Sequence, residues 1–347
     1  MDVLMHHLDE KQELTPSEVE VAAALLLDPA MADGKKARLL EALALKGETP
    51  GEIAGFVEAF LGHAVEPHLG LLELQGPTLD VCGTGGDQLD LFNVSTTAMF
   101  VAAAAGAVMV KHGNRGITSK SGGADVLEAL GIQIDLPVDG FRRCLEQAGV
   151  GFMYAPIYHP SFKAVAGARK ALAARGVKTI FNLIGPLLNP ARPQCQLVGV
   201  FGRELCPVFA EILQRLGRDR AWVVYGTTGD GRSVDEVSLM GATRICKSGI
   251  YQDRADEEVR PCDFGLRNAE VAALCGGDAK TNAAILEAIL AGRDVGPKRD
   301  MVLMNSGAAL ACAGLAEDMG QGIEISREMI ASGAALERLR LLRMAAR

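Results

Sequence analysis

The sequence predicts an α/β fold: a small all-helical N-terminal domain, then a larger α/β domain with a mainly parallel central sheet. Three observations carry this. Residues 1–70 are punctuated by helix start and stop signals. From about residue 78 short β-rich runs alternate with longer helical patterns, which indicates parallel pairing. The chain also holds 40 glycines in 347 residues and only 5% aromatics, which suits close helix–strand layers better than a β-sandwich.

Taken in order, "LTPSEVEVAAALLL" offers Thr15 as N-cap, Pro16 at the first helical position and Glu18 three residues after the cap. Val19, Val21, Ala22, Leu25 and Leu26 follow a helical period, and Asp28-Pro29 ends it. "AMADGKKARLLEALALKG" predicts a second helix closed by Gly47. "ETPGEIAGFVEAFLGHA" repeats the start signal with Thr49, Pro50 and Glu52, and Phe56, Val57, Phe60 and Leu61 form its apolar face. The alternation that follows runs "TLDVCG", "TTAMFVAAAAG", "AVMVKHG", "GADVLEALG", "IQIDL", "DGFRRCLEQAG", "VGFMYA", then "CQLVGVFG", "CPVFAEILQRLG", "AWVVYG" and "ATRICKSG", before a helical tail. Ligands of parallel sheets sit at the carboxyl ends of strands. Trp222 lies in an apolar run and reads as core.

Composition excludes several functions. A net charge of −8 argues against a broad nucleic-acid surface. Eight scattered cysteines without a C-x-x-C pair indicate reduced thiols in a cytosolic protein, with no disulfide framework or zinc site. The N-terminus lacks the pattern of a signal peptide, and the apolar runs are too short or glycine-broken to span a bilayer.

Four loops hold the candidate chemistry. "GTGGD" follows a predicted strand, where glycine lets the backbone approach a ligand and successive N–H groups make an anion concavity. It matches neither G-x-G-x-x-G nor a Walker A loop, so neither a dinucleotide nor an ATP site follows from it. "FNVSTT" places Asn93, Ser95, Thr96 and Thr97 before an alanine-rich helix; Ser95 or Thr96 serves as a cap there, or the helix start takes phosphate. Lys111, His112, Asn114, Arg115, Ser119, Lys120 and Ser121 crowd one glycine-punctuated loop, a pocket for an anion or a solvated basic loop. Asp235 and Glu236 follow the glycine-rich "YGTTGDGRS", and two carboxylates beside a phosphate site suit Mg²⁺. His159 precedes a proline, a setting more often structural. "CDFGL" imitates a kinase signature, but no catalytic-loop His-Arg-Asp accompanies it.

In this order, GTGGD, NVST, KHGNR and DEVS closely resemble the motifs of the anthranilate phosphoribosyltransferase family. APIYHPSF, FNLIGPLLNPA and DFGL match further family landmarks, so the similarity spans essentially the whole chain. The resemblance implies the fold class shared with pyrimidine nucleoside phosphorylases, with the site in the cleft between domains. It implies a small domain over 1–72, with 165–194 packing on it or forming its hinge side, and a large domain over 73–164 and 195–347. It implies transfer of a phosphoribosyl group from phosphoribosyl pyrophosphate to anthranilate, a step of tryptophan biosynthesis in the cytoplasm, with two Mg²⁺ ions and a homodimer formed through the helical domain. Carried over by motif, Gly83, Gly86, Asp87, Asn93, Ser95, Thr96, Lys111, Asn114, Arg115 and Ser119 would hold the donor. Ser95, Asp235 and Glu236 would bind metal. Gly83, His112, Asn114, His159 and Arg169 would line the anthranilate side. No residue is assigned as nucleophile or base.

The chain departs from the family pattern in three places. Gln88 and Leu91 stand where Gly and Thr are usual, and Gly123 where Ser is usual. The segment 169–181 is a few residues longer, with Lys178 where an Arg is expected. Two other enzymes stay open on these grounds: a phosphoribosyltransferase-like protein with a different acceptor, and a nucleoside phosphorylase. A non-enzymatic binder of this fold would lose the Asp-Glu pair and gain a basic face.

Overall fold

A computed structural model of the chain describes residues 1–116, 120–250 and 256–347, which leaves Ser119 outside the described residues. Helices α1 (Asp2–Asp9), α2 (Pro16–Leu27), α3 (Asp33–Lys46) and α4 (Pro50–Leu61) open it. Thr15 and Thr49 complete the expected capping boxes with Glu18 and Glu52, with Pro16 and Pro50 at the first helical positions. Phe56, Val57, Phe60 and Leu61 are buried as expected. Val21 is not: it is 50% exposed, because α2 packs through Val19, Ala22, Ala23 and Leu26, one stripe that leaves position 21 on the far side.

The rest of the chain runs β1 (Thr78–Gly83), α5 (Val94–Ala104), β2 (Val108–Gly113), α6 (Gly123–Ala129), α7 (Val138–Ala148), β3 (Val150–Tyr154), α8 (Ala155–Tyr158), α9 (Ala166–Ala173), β4 (Cys195–Gly199), α10 (Leu205–Arg215), β5 (Arg220–Thr227), β6 (Ser233–Val234), β7 (Thr243–Gly249) and β8 (Asp256–Val259). Helices α11 (Val271–Leu274), α12 (Ala279–Leu290), α13 (Pro297–Ala313), α14 (Met319–Ala331) and α15 (Ala334–Ala345) complete it. The eight strands form one sheet in the order β3-β2-β1-β4-β5-β7-β8, with β6 on β5. Neighbours from β3 through β5 pair in parallel; for example, Leu79 stands opposite both Met109 and Cys195.

Two expectations need correction. The "ATRICKSG" run, β7, is antiparallel to β5, because no crossover helix separates them and the chain doubles back through β6. "IQIDL" forms no strand. Ile132, Ile134 and Leu136 do alternate into the core, but the segment has no ladder partner, so the pattern records one buried face only.

Strand residues feed three cores, the smallest of which sets Val108, Val110 and Met153 against Phe141, Leu145 and Tyr158. Leu79, Val81, Leu197, Trp222 and Val224 face α5 and α12–α15. Val198, Val200, Ala221 and Val223 face α10, the residues 165–188 and the four N-terminal helices, as one continuous apolar cluster. The chain leaves β1 for β2 and β3 on one side, then returns to β4 on the other. The crevice past the carboxyl ends of β1 and β4 is therefore a topological switch point, where open α/β sheets bind ligands.

Candidate active site

A cleft of about 290 Å³ opens at that switch point. Its walls are the glycine turn after β1, the start of α5, residues 120–121 of the basic loop, Asp235, Glu236, Gly277 and Asn282. The Thr84 N–H donates to the Gly199 carbonyl (2.9 Å), and the Phe201 N–H to Thr84 Oγ1 (3.2 Å), which ties the two strand ends together. Asp235 then seats on both. Its Oδ2 accepts the Gly85 N–H at 2.7 Å. A Cβ at Gly83 would lie 2.3 Å from that oxygen, and one at Gly199 would lie 1.7 Å from the Asp235 carbonyl. Only glycine at both positions lets the acidic segment settle here.

The acids crowd one another. Burial, then the Asp87 charge, raises Asp235, and burial raises Asp87 beside it. Burial also pushes Glu236 up to about 8, reinforced by Asp235 and opposed by Lys111 and by a hydrogen bond from the Ser95 main chain. Each is a carboxyl short of compensating positive charge. Behind them, Asn305 of α13 accepts the Val237 N–H and returns Nδ2–H to the Val237 carbonyl, both at 2.9 Å. Among the described residues no three His, Cys, Asp or Glu side chains form a complete metal cage. Clustered carboxylates that complete their shell with water and phosphate oxygens are what Mg²⁺ uses, so the donor set fits that ion.

Asn93, rather than Ser95 or Thr96, occupies the N-cap position of α5, and its side chain makes no cap bond. Within that first turn the Val94 N–H donates to the Phe92 carbonyl and the Ser95 N–H is directed to Glu236, which leaves the Thr96 N–H for an anion. Lys111 is buried, with Nζ donating to the Val81 carbonyl and to Ser95 Oγ. Thr96 lies in the same turn, and a Cβ at Gly123 would stand 3.0 Å from its Oγ1, a tight contact. The basic loop folds back on α6: Asp125 Oδ2 accepts from both Gly116 (2.9 Å) and Gly122 (2.8 Å). Asn114 is exposed, its Oδ1 accepting the Arg115 N–H. Arg115 is not drawn into the cleft. It pairs with Glu128 and Asp125 and lies over the Tyr154 ring, because α6 presents both acids beside the basic loop. Lys120, a cleft residue, pairs with Asp90 across the mouth at 2.9 Å.

Of the expected acceptor residues, His112, His159 and Arg169 gather at an aromatic wall outside the cleft lining, Gly83 lines the cleft itself, and Asn114 stays on the basic loop. His112 and His159 meet edge-on at 5.2 Å, and His159 stacks on Phe162 at 4.9 Å. Phe162 contacts Phe181, and the Arg169 guanidinium lies 4.7 Å over Phe181. Burial, with His159 beside it, lowers His112 to about 3, and burial lowers His159, so both rings are neutral. His159 Nε2–H donates to the Leu188 carbonyl at 2.8 Å, which leaves buried Nδ1 unpaired. Among the described residues Arg169 has no ion-pair partner, so an uncommitted cation stands against an aromatic surface. Asn282 and Asn305 carry no local sequence signal, since each acts through a contact distant along the chain, and Gly277 joins the site through Asn282.

Comparison with known proteins agrees with this geometry. Residues 75–336 match the family model "Glycosyl transferase family, a/b domain", and residues 2–64 match its helical bundle domain. The anthranilate phosphoribosyltransferase of Haloferax volcanii is 44% identical over 326 residues, covering 93% of each chain. That of Roseiflexus castenholzii is 43% identical over 330 residues, 95% of this chain and 94% of the relative. Among solved structures, anthranilate phosphoribosyltransferase (TrpD) from Thermus thermophilus superposes with a TM-score of 0.88 at 36% identity, covering 99% of both chains. The Saccharomyces cerevisiae protein in complex with PRPP and Mg gives 0.84 at 27% identity, covering 99% and 98%. The same yeast protein has also been solved with 4-fluoroanthranilate.

Proposed function

Because the chain belongs to the anthranilate phosphoribosyltransferase family, we propose that it transfers the 5-phosphoribosyl group of phosphoribosyl pyrophosphate to the amine of anthranilate, giving N-(5-phosphoribosyl)-anthranilate and pyrophosphate. The observation that carries this is the seating of Asp235 on the glycine turn: it brings paired acids and the start of α5 to one cleft, with buried Lys111 behind them on Ser95.

Gly83, Gly86, Asp87, Asn93, Ser95, Thr96 and Lys111 hold the donor, and Asn114, Arg115 and Ser119 complete its pocket. Arg115 leaves Glu128 to do so, a small loss because the pair is exposed. Asp235 and Glu236, with Ser95, would hold magnesium, two ions in all. Bound magnesium supplies positive charge to the diphosphate oxygens. Lys111 and the positive end of α5 stabilise the same charge as the C1–O bond lengthens toward an oxocarbenium-like state. The acceptor sits against His112, Asn114, His159 and Gly83, with its carboxylate facing Arg169. Neutral imidazoles suit an amine that is already nucleophilic, so alignment rather than a strong base supplies the remainder.

The small domain is residues 1–72 with 165–194 packed on it, and two copies join through it in the cytoplasm. Val3 (65% exposed), Val21 and Leu45 (76%) offer the apolar surface for that contact. Anthranilate fluorescence should fall when the chain, Mg²⁺ and phosphoribosyl pyrophosphate are mixed. Constant fluorescence, with donor binding still visible by calorimetry, points instead to a different acceptor.

A further inference from the structure

Asn282, in the first turns of α12, is 3% exposed yet lines the cleft. It sits in an unbroken chain of hydrogen bonds. The Gly277 N–H donates to Asn282 Oδ1 at 2.8 Å. Asn282 Nδ2–H donates to Asn93 Oδ1 at 2.8 Å, and Asn93 Nδ2–H donates to the Ser121 carbonyl at 3.2 Å. A backbone N–H can only donate and a carbonyl can only accept, so the two ends of the chain fix the orientation of both amides. The approach is close: a Cβ at Gly276 would lie 2.5 Å from Asn282 Oδ1 and 2.7 Å from the Phe92 Cα.

We propose that Asn282 is a positioning residue of the donor site, which polarises this relay so that Asn93 turns its second Nδ2–H toward the cleft. An amide nitrogen carries two hydrogens and only one is taken by Ser121. The other suits a phosphate or ribose oxygen. A reversed Asn93 would present Oδ1 to an anion and would set two carbonyls against each other at Ser121. The relay also joins three segments that are remote in sequence, so α12 holds the basic loop in place.

The inference rests on the proposed donor site. Its test uses Asn282→Asp and Asn282→Leu in the full-length protein, with phosphoribosyl pyrophosphate and Mg²⁺ titrated by calorimetry and both KM values measured. Each variant removes the donor to Asn93, one by a charge and one without. Both should weaken donor binding about tenfold, the loss of roughly one neutral hydrogen bond, and raise the donor KM likewise, while the anthranilate KM stays within about twofold. Normal donor affinity in both variants overturns the relay. So does a defect confined to the aspartate, which charge alone explains, or an equal rise in both KM values, which marks a packing defect. Asn282→Ser replaces any variant whose melting shows it unfolded. Wild-type protein that binds no donor would instead refute the proposed function itself.

Discussion

Neutralising Glu236 should stabilise the metal-free protein, and increasingly so as the pH rises. The Glu236 carboxyl is pushed from its usual 4.5 up to about 8 by burial beside Asp235 and Asp87. Between those values the folded protein retains a proton that the unfolded chain has lost, so the stability of the metal-free wild type falls as pH climbs. From 4.5 to about 8 is 3.5 pH units, and at ~1.36 kcal/mol each this sets a ceiling of ~5 kcal/mol. Glu236 is only partly buried by side-chain exposure, and water reaching it reduces the cost to ~2 kcal/mol. For 347 residues at ~2.1 cal/mol/K each, unfolding entropy is ~0.7 kcal/mol/K, so ~2 kcal/mol corresponds to ~3 °C. Scanning calorimetry of chelator-treated wild type and Glu236→Gln at pH 4.5 and 8.5 reads this directly. The variant should gain ~3 °C on the wild type between the two conditions, and Mg²⁺ with phosphoribosyl pyrophosphate should close the gap through the wild type alone. Parallel melting curves at both pH values would refute the crowded-carboxylate account.

Gly199→Ala places a methyl 1.7 Å from the Asp235 carbonyl; kcat/KM should drop ~100-fold or more, since displacements near 1 Å are that costly, while circular dichroism shows an intact fold. Asn305→Leu leaves the buried Val237 N–H and carbonyl unpaired and should cost ~2–4 kcal/mol in denaturant unfolding, together with a weaker apparent Mg²⁺ affinity. Phe162→Leu removes the ring stacked on His159 and should raise the anthranilate KM while leaving calorimetric donor affinity unchanged. Arg115→Ala breaks only exposed pairs, so the melting temperature should hold while the donor KM rises.

The helix signals of the bundle were legible because capping boxes are local: Thr15 and Glu18, or Thr49 and Glu52, sit three residues apart. The parallel half of the sheet was legible because each strand–helix alternation is a contiguous crossover. Antiparallel β7 was not, since its partner depends on the absence of a helix rather than on any residue. At the site, short motifs exposed the groups that face a ligand. What braces those groups stayed hidden. Asn305 and Asn282 are ordinary helical asparagines until folding carries them beside Val237 and Asn93, and Gly199 looks like a strand end until Asp235 descends on it. Arg115 is the converse case: its motif assigns it to a ligand, whereas the fold sets it on Glu128 and Asp125.

The aromatic wall does not stop at the sheet. Phe60 of α4 stacks on Phe181 at 5.5 Å and meets Phe162 edge-on at 5.3 Å. The N-terminal helices thus furnish the back of the aromatic wall. On the proposed assignment of that wall to the acceptor, grafting this bundle from a relative would retune which aromatic amine is accommodated, so selection for a new acceptor can act on the bundle as well as on the cleft.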